Sequence, residues 1–153
     1  MRDQYIRGIE ELQPIINQFF GFLKKGKLMG FKCGDCGFVL LPPRGVCCRC
    51  GGFHLSWVPL SGKGELLFAS VGTHGLTGVK FVQGTIELEE GPIIPGMVLI
   101  DSFDFSKPEK IWEYNQAGIP VIAEIKKNPM GVEGIIFKIN VKSPKDQNPS
   151  SQI

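Results

Sequence analysis

The first thirty residues carry apolar side chains at steps of three and four. This spacing predicts a helix with one apolar stripe, whose members are Ile9, Leu12, Ile16, Phe19 and Leu23. Three more apolar side chains lie outside the stripe: Ile15, Phe20 and Phe22. A helix that is apolar around most of its circumference must be covered on more than one side. It packs either within its own fold or against another subunit, and the pattern leaves both open.

Two residues bear on the limits of this helix. Pro14 lacks a backbone N–H, so the sequence predicts that the helix begins near Pro14 or kinks there. Gly26 follows Lys24 and Lys25 and predicts the C-terminal end. We therefore assign residues 1–30 to an N-terminal helical segment.

The second half of the chain reads as short strands. Alternation of apolar and polar positions is clearest over residues 85–89 and 121–126. With little helical pattern between them, the strands predict a small antiparallel barrel, closed or partly closed. The five β-branched runs, each bounded by Gly, Pro or Asn, are GELLFASVGTH, KFVQGTIELEE, PIIPGMVLIDSF, IPVIAEIKKN and VEGIIFKINV.

All five cysteines lie between positions 33 and 50. Cys33 and Cys36 form one C-x2-C pair, and Cys47 and Cys50 form a second. Two such pairs can surround one Zn²⁺ with four thiolates at Zn–S distances of about 2.3 Å. Cys48 breaks the two-residue spacing, so we interpret it as a spare thiol. Iron held by four thiolates is the alternative that the spacing leaves open.

A four-thiolate site leaves no coordination position for water or substrate, so the predicted zinc is structural. The predicted fold class is mainly β with an N-terminal helix, in which a four-Cys zinc ribbon precedes a five-stranded OB-type barrel. A small β-sandwich is the alternative to the barrel. We place the zinc ribbon at residues 31–60, the barrel at 61–141 and a flexible tail at 142–153.

Composition and charge narrow the classes of function. The chain has 153 residues, of which 42% are hydrophobic and 21% charged, proportions typical of a globular protein. The net charge is +2, but the barrel segment holds seven basic and ten acidic side chains. That balance disfavours a nucleic-acid surface, which needs clustered Lys and Arg. We see no signal-peptide core and no membrane-length apolar run, so we expect a cytoplasmic protein with no membrane partner.

The sequence lacks the common catalytic motifs. It has no G-x-S-x-G elbow, no P-loop and no G-x-G-x-x-G run. His74 is a candidate general base, but a loop position explains it more simply. We therefore predict no catalytic residue and a binding or scaffolding subunit that is not an enzyme on its own. The aromatic residues of the barrel segment are candidates for the core or for interface anchors: Phe81, Phe103, Phe105, Trp112 and Tyr114.

The stretch from Phe19 to Gly52 resembles a known family. An aromatic helix ends at a glycine turn and is followed by a first C-x2-C-G, by Pro-Pro-Arg at 42–44, and by a second cysteine pair with a glycine. Trp57 and the Ser-Gly-Lys-Gly run at 61–64 extend the match. These motifs resemble the acyl-CoA-associated proteins that join a rubredoxin-like zinc ribbon to an OB fold. Cys48 stands where that family usually has proline.

Members of this family are non-catalytic subunits of thiolase-type enzymes and related acyl-CoA complexes. The resemblance implies a structural Zn²⁺ and a hetero-oligomer in which a thiolase-like catalytic subunit supplies the reactive Cys and His. This chain would bridge subunits and help to frame the site of a CoA thioester shared with that partner. Arg44 and Lys63 are candidate contacts to the CoA phosphates. The candidate partner-facing side chains of the helix are Ile16, Phe19, Phe20 and Leu23.

The implied chemistry is cleavage or formation of a C–C bond, with the acyl group unidentified. Binding of single-stranded nucleic acid is the alternative function, because OB folds and zinc ribbons both serve it. A stand-alone enzyme that uses His74 ranks third.

Overall fold

The computed structural model describes residues 2–101, 103–115, 118–127 and 131–139, with side chains in the first helix described from residue 13 onward. The predicted tail at 142–153 and the side chains of Ile9 and Leu12 lie outside the described residues. Contacts divide the chain into two compact units. The ribbon unit comprises Met1–Ser61, Glu90–Pro92 and Ile125–Gly134, and the barrel unit comprises Gly62–Glu89, Ile93–Glu124 and Ile135–Ile153.

The N-terminal helix α1 (Arg2–Lys24) continues through Pro14, so the predicted start near that residue is wrong. A proline removes only one helical hydrogen bond, because it has no N–H to donate to the carbonyl four residues earlier. Pro14 is exposed, so water can donate a hydrogen bond to that carbonyl instead. The predicted end is confirmed. The Gly26 N–H donates to the Leu23 carbonyl at 2.9 Å and the Lys27 N–H to the Phe22 carbonyl at 2.9 Å, which is a Schellman turn. Across the described residues, no helix combines the length and apolarity that crossing a membrane requires.

One face of α1 packs on the ribbon of the same chain. The Phe22 ring lies 5.1 Å from the Trp57 ring, and the Trp57 indole N–H donates to the Gln18 side-chain oxygen at 2.9 Å. Ile15 also packs on the ribbon core, and Leu23 is only 2% exposed. This face is rotated from the predicted stripe, because it includes Ile15 and Phe22 and leaves Ile16 exposed, together with Phe20. Contacts with Trp57, which is distant in sequence, determine which face of α1 packs on the ribbon. Helical periodicity alone therefore does not predict that face.

The ribbon contains a small antiparallel sheet in the order β2-β1-β3. Its strands are β1 (Met29–Cys33), β2 (Val39–Leu40) and β3 (Leu55–Pro59). Its buried core combines Phe31 and Leu40 with two of the cysteines, and Trp57 packs against Phe31 with ring centroids 4.2 Å apart. The sheet therefore holds the cysteine-bearing loops and the helix on one apolar core.

The second sheet is a closed five-stranded barrel in the order β4-β5-β6-β8-β7, which confirms the predicted barrel. Strand β4 pairs antiparallel with β5 and β7, as expected, but β6 and β8 run parallel. This order, with β6 and β8 parallel, is the OB arrangement. The all-antiparallel expectation is wrong for β6 and β8, because alternation along a strand does not reveal the direction of its neighbour. The bounds are β4 (Lys63–Thr73), β5 (Lys80–Leu88), β6 (Ile93–Leu99), a 3-10 helix (Pro108–Tyr114), β7 (Ile119–Lys127) and β8 (Glu133–Ile139).

A β-bulge changes the side on which β4 presents its residues. The register shifts between Leu66 and Phe68. Leu66 is fully buried before the bulge, whereas Leu67 and Phe68 are both exposed. Beyond it, Ala69 points inward again. The bulge therefore places an aromatic ring on the outer surface of the barrel.

Beside this bulge, the Asn115 side chain forms hydrogen bonds with the backbone of β4, as a neighbouring strand would. The Ala69 N–H donates to Asn115 Oδ1 at 2.6 Å, and Asn115 Nδ2 donates to the Ala69 carbonyl at 3.1 Å. The amide therefore satisfies both backbone groups of Ala69.

Asn115→Ala is expected to lower the free energy of unfolding by about 1–3 kcal/mol, because it leaves two partly buried backbone groups without partners. Urea denaturation measures the change. Asn115→Asp retains the acceptor for the Ala69 N–H but sets a second acceptor oxygen against the Ala69 carbonyl, so it should not restore the parent stability. An alanine variant as stable as the parent would contradict this role.

Candidate metal centre and outer groove

The four cysteines of the two C-x2-C pairs converge at one point of the ribbon. Their Sγ atoms all lie within 4.8 Å of one another. Cys33 Sγ is 3.6 Å from Cys50 Sγ, and Cys36 Sγ is 3.6 Å from Cys47 Sγ. Four sulfurs at the Zn–S distance of about 2.3 Å would be about 3.8 Å apart, so the arrangement fits a tetrahedral Zn²⁺. All five cysteines are free of disulfides, and Cys48 lies exposed outside the cluster.

Two similar backbone turns build this cluster. The Gly37 N–H donates to the Cys33 carbonyl at 2.8 Å, and the Gly51 N–H donates to the Cys47 carbonyl at 2.9 Å. Both glycines have positive φ, 75° and 74°, which side chains other than glycine rarely adopt. Each turn therefore presents its two sulfurs on one side.

The electrostatics of the cluster favour a bound cation. The backbone N–H of Cys50 and, more weakly, that of Arg49 lower the pKa of Cys47 to about 7, against the effect of burial. The Gly52 N–H favours the Cys50 thiolate, but the neighbouring Cys36 sulfur and burial outweigh it and raise the pKa of Cys50 to about 12. Four thiolates so close together repel one another, which opposes deprotonation of all four cysteines. A bound divalent cation offsets this repulsion.

An acidic residue and a histidine stand beside the cluster without joining it. Asp35 Oδ1 lies 2.8 Å from His54 Nδ1, and both side chains are exposed. The His54 carbonyl accepts the Gly34 N–H at 2.7 Å, which ties β3 to the first turn. A Cβ at position 52 would lie 2.1 Å from Asp35 Oδ2, so the carboxylate occupies space that Gly52 leaves open. The spacing of the sequence does not predict the pairing of Asp35 with His54, although Asp35 lies inside the first C-x2-C motif.

The other predicted site residues belong to both units of the chain. Arg44 is exposed in the ribbon unit and Lys63 is exposed at the start of β4 in the barrel unit. Of the predicted partner-facing residues, Ile16 and Phe20 are exposed, Phe19 is half-buried and Leu23 is buried within the chain. Leu23 is only 2% exposed, so its burial within the chain removes it from any such surface.

The barrel carries an open groove of about 530 Å³ on the outer face of β4, β5 and β6. Its apolar walls include Phe68, Phe81 and Met97, and Ser70 and Gln83 supply polar groups. All the residues that line it are uncharged. A groove that binds single-stranded nucleic acid needs cationic side chains along its length. The uncharged lining of this groove therefore does not support the alternative function of nucleic-acid binding.

Residues 20–56 match the family model described as ChsH2, rubredoxin-like zinc ribbon domain. A DUF35 domain-containing scaffold protein of Pyrococcus furiosus is 30% identical over 77 residues. That match covers 48% of this chain and 56% of the relative, so it spans just over half the relative's length.

Two solved structures share the architecture. One, described as an Ltp2-ChsH2(DUF35) aldolase, has a TM-score of 0.64 at 23% identity and covers 82% of this chain and 94% of that chain. The other is a DUF35 family protein of unknown function from Sulfolobus solfataricus, with a TM-score of 0.55 at 17% identity, covering 83% and 86%. At these identities the likeness shows the fold alone. Together with the ribbon match, it confirms the resemblance to proteins that join a zinc ribbon to a barrel.

Proposed function

We propose that this chain is a non-catalytic subunit of an acyl-CoA complex that makes or breaks C–C bonds. A structural zinc held by Cys33, Cys36, Cys47 and Cys50 would stabilise the ribbon. A catalytic subunit would supply the reactive groups. The name of the structural neighbour, an aldolase that contains ChsH2(DUF35), supports a role in such a complex. More specifically, we propose that this catalytic subunit is thiolase-like, on the basis of the sequence resemblance.

The observation that carries the proposal is the closed character of the metal cluster. Four thiolates occupy every position of a tetrahedral zinc, so the metal has no site for substrate. The two histidines are engaged in local contacts. His74 Nδ1 accepts the Thr77 N–H at 3.3 Å, and His54 pairs with the exposed Asp35. Neither histidine is among the residues that line the outer groove, so that groove offers no acid–base group.

The contacts proposed with ligand and partner follow from exposed side chains. Arg44 and Lys63 are the cationic residues that we propose for the CoA phosphates. Ile16 and Phe20 form the part of the predicted helix surface that remains exposed to a catalytic subunit. A reduced four-cysteine cluster is also compatible with the cytoplasm, where thiols persist.

Affinity purification of the full tagged chain from its source cells tests the proposal. We expect a stoichiometric enzyme of the thiolase fold, identified by mass spectrometry. Ile16→Asp combined with Phe20→Asp should weaken its recovery, because charges replace the exposed apolar residues of α1. Asn17→Asp is the matched control, since it adds a charge to an exposed polar position on the same helix and should retain the partner.

Two results would count against the proposal. Recovery of nucleic acid without an enzyme, lost on raising the salt concentration, would favour the nucleic-acid alternative. Recovery of the chain alone from cells that contain acyl-CoA enzymes would remove the accessory role.

A further inference from the structure

A carboxylate oxygen lies at the edge of the four-cysteine cluster without belonging to it. Asp35 Oδ2 is 4.0 Å from Cys33 Sγ. It also lies against Gly52, because a Cβ at position 52 would overlap Asp35 Oδ2 and would be 3.2 Å from Cys50 Sγ. The Gly52 N–H in turn donates to Cys50 Sγ at 3.4 Å. Asp35 Oδ2 is therefore close to one sulfur from each C-x2-C pair.

This carboxylate stands on the side of the cluster that solvent reaches. Cys33 and Cys47 are buried in the ribbon core, whereas Cys50 is exposed and Cys36 is half-buried. The side chain of Asp35 is itself 41% exposed. The exposed side of the cluster, through which a metal ion would enter or leave, therefore includes Cys50 and Asp35.

The two oxygens of this carboxylate have different neighbours. Asp35 Oδ1 lies 2.8 Å from His54 Nδ1, and Asp35 Oδ2 is the oxygen near the Cys33 sulfur. The contact with His54 thus orients the carboxylate so that one oxygen faces the metal cluster.

A carboxylate in this position suits the exchange of zinc better than its permanent binding. Four thiolates complete the tetrahedral coordination, so the bound ion does not require Asp35 as a lasting ligand. Carboxylate oxygens are nevertheless good ligands of Zn²⁺, which can expand to five-coordinate in a transition state. A contact that is made only in the transition state accelerates a process in both directions and leaves its equilibrium unchanged.

We propose that Asp35 is the residue past which Zn²⁺ enters and leaves the ribbon, with Oδ2 contacting the ion while water and thiolate ligands replace one another. During loading the cysteines release their protons to solvent as the thiolates form, and during release they recover them. The inference rests on the structural zinc of the proposed function and is independent of the catalytic subunit. It goes beyond that function because it assigns a kinetic role to a side chain outside the four ligands.

Isotope exchange on the zinc-loaded full chain tests the proposal. Mass spectrometry follows the replacement of bound zinc by isotopically labelled Zn²⁺, and competition with a chelator measures Kd. Asp35→Asn retains the size of the side chain and an oxygen for His54, but removes the charged ligand. We expect exchange to slow at least about fivefold while Kd stays within about threefold, because only a transition-state contact is lost.

Asp101→Asn is the matched control for the change of charge. Asp101 is an aspartate of the barrel unit with a side chain that is 81% exposed, so its substitution should leave both the exchange rate and Kd unchanged. Amide spectra recorded by NMR verify that each loaded variant keeps the folded ribbon. Equal effects of Asp35→Asn and Asp101→Asn would indicate a general effect of charge and would overturn the proposal.

The comparison of rate with affinity separates the remaining outcomes. Faster exchange with weaker binding would make Asp35 a residue that stabilises the bound metal, whose loss commonly costs about 10–100-fold in affinity. Slower exchange with an equally tighter Kd would mean that Asp35 only repels the thiolates. Either result overturns the proposal, as does an Asp35→Asn variant that changes neither quantity, although the zinc assignment then stands. A parent chain that takes up no zinc removes that assignment, and this inference with it.

Discussion

Cys47→Ser is expected to abolish zinc binding and to unfold the ribbon. Cys47 is almost fully buried in the ribbon core, and its Sγ lies 3.6 Å from that of Cys36. A structural zinc contributes about 10–16 kcal/mol to the folding of small metal-binding domains, which is comparable with the total stability of many proteins. Elemental analysis should show about one zinc per chain in the parent and almost none in the variant. Dispersion of the ribbon amide signals in NMR spectra should collapse in parallel.

The neighbouring cysteine provides the control for this experiment. Cys48 is exposed and outside the cluster, so Cys48→Ser should retain zinc and the parent spectrum. Retention of a full zinc equivalent by Cys47→Ser would show that Cys48 replaces the lost ligand, contrary to the assignment. If elemental analysis finds iron in place of zinc, the identity of the metal changes but the assignment of the four ligands stands.

Phe137→Ala is expected to lower the free energy of unfolding of the barrel by about 3–5 kcal/mol. Phe137 is fully buried, and its ring lies directly on the backbone of β6. A Cβ at position 96 would be only 2.7 Å from the ring, so Gly96 provides the space that the phenyl group fills. Truncation of the ring leaves a cavity that the surrounding strands cannot close. Thermal and urea denaturation monitored through barrel amide signals measure the loss.

Phe68→Ala is the matched control, because it removes the same ring from the outer face of the same barrel. Phe68 is 46% exposed, so its loss should cost about 1 kcal/mol or less. The zinc content should be the same in both variants. Equal destabilisation by the two substitutions would contradict the assignment of Phe137 to the centre of the core.

Features that depend on neighbouring residues in the chain were predictable from the sequence. Each of the five strand runs overlaps one barrel strand, and Gly26 ends the helix as expected. The cysteine spacing is also local, because each C-x2-C pair is one turn. The alternation at 121–126 places Val121 inside and Ile122 outside, as the structure has them.

Features that depend on distant contacts were not predictable. Trp57 selects the packed face of the helix, so the apolar stripe alone gave the wrong orientation for Ile16. The bulge at Leu67 reverses the sides of β4, and alternation cannot reveal it because both flanking residues are apolar. Asn115 carries no sequence signal for its bond to Ala69.

The parallel pairing of β6 and β8 has a consequence for the kinetics of folding. In the ribbon sheet, Phe31 pairs with Leu40, a close neighbour in the chain, whereas closure of the barrel brings Met97 to Ile136. Loop-closure entropy makes such distant pairings slow. During synthesis the four cysteines emerge well before Glu133–Ile139, so we expect zinc loading to precede barrel closure. In that interval the inner faces of β4, β5 and β6 lack Phe137, and the nascent chain is most vulnerable to aggregation.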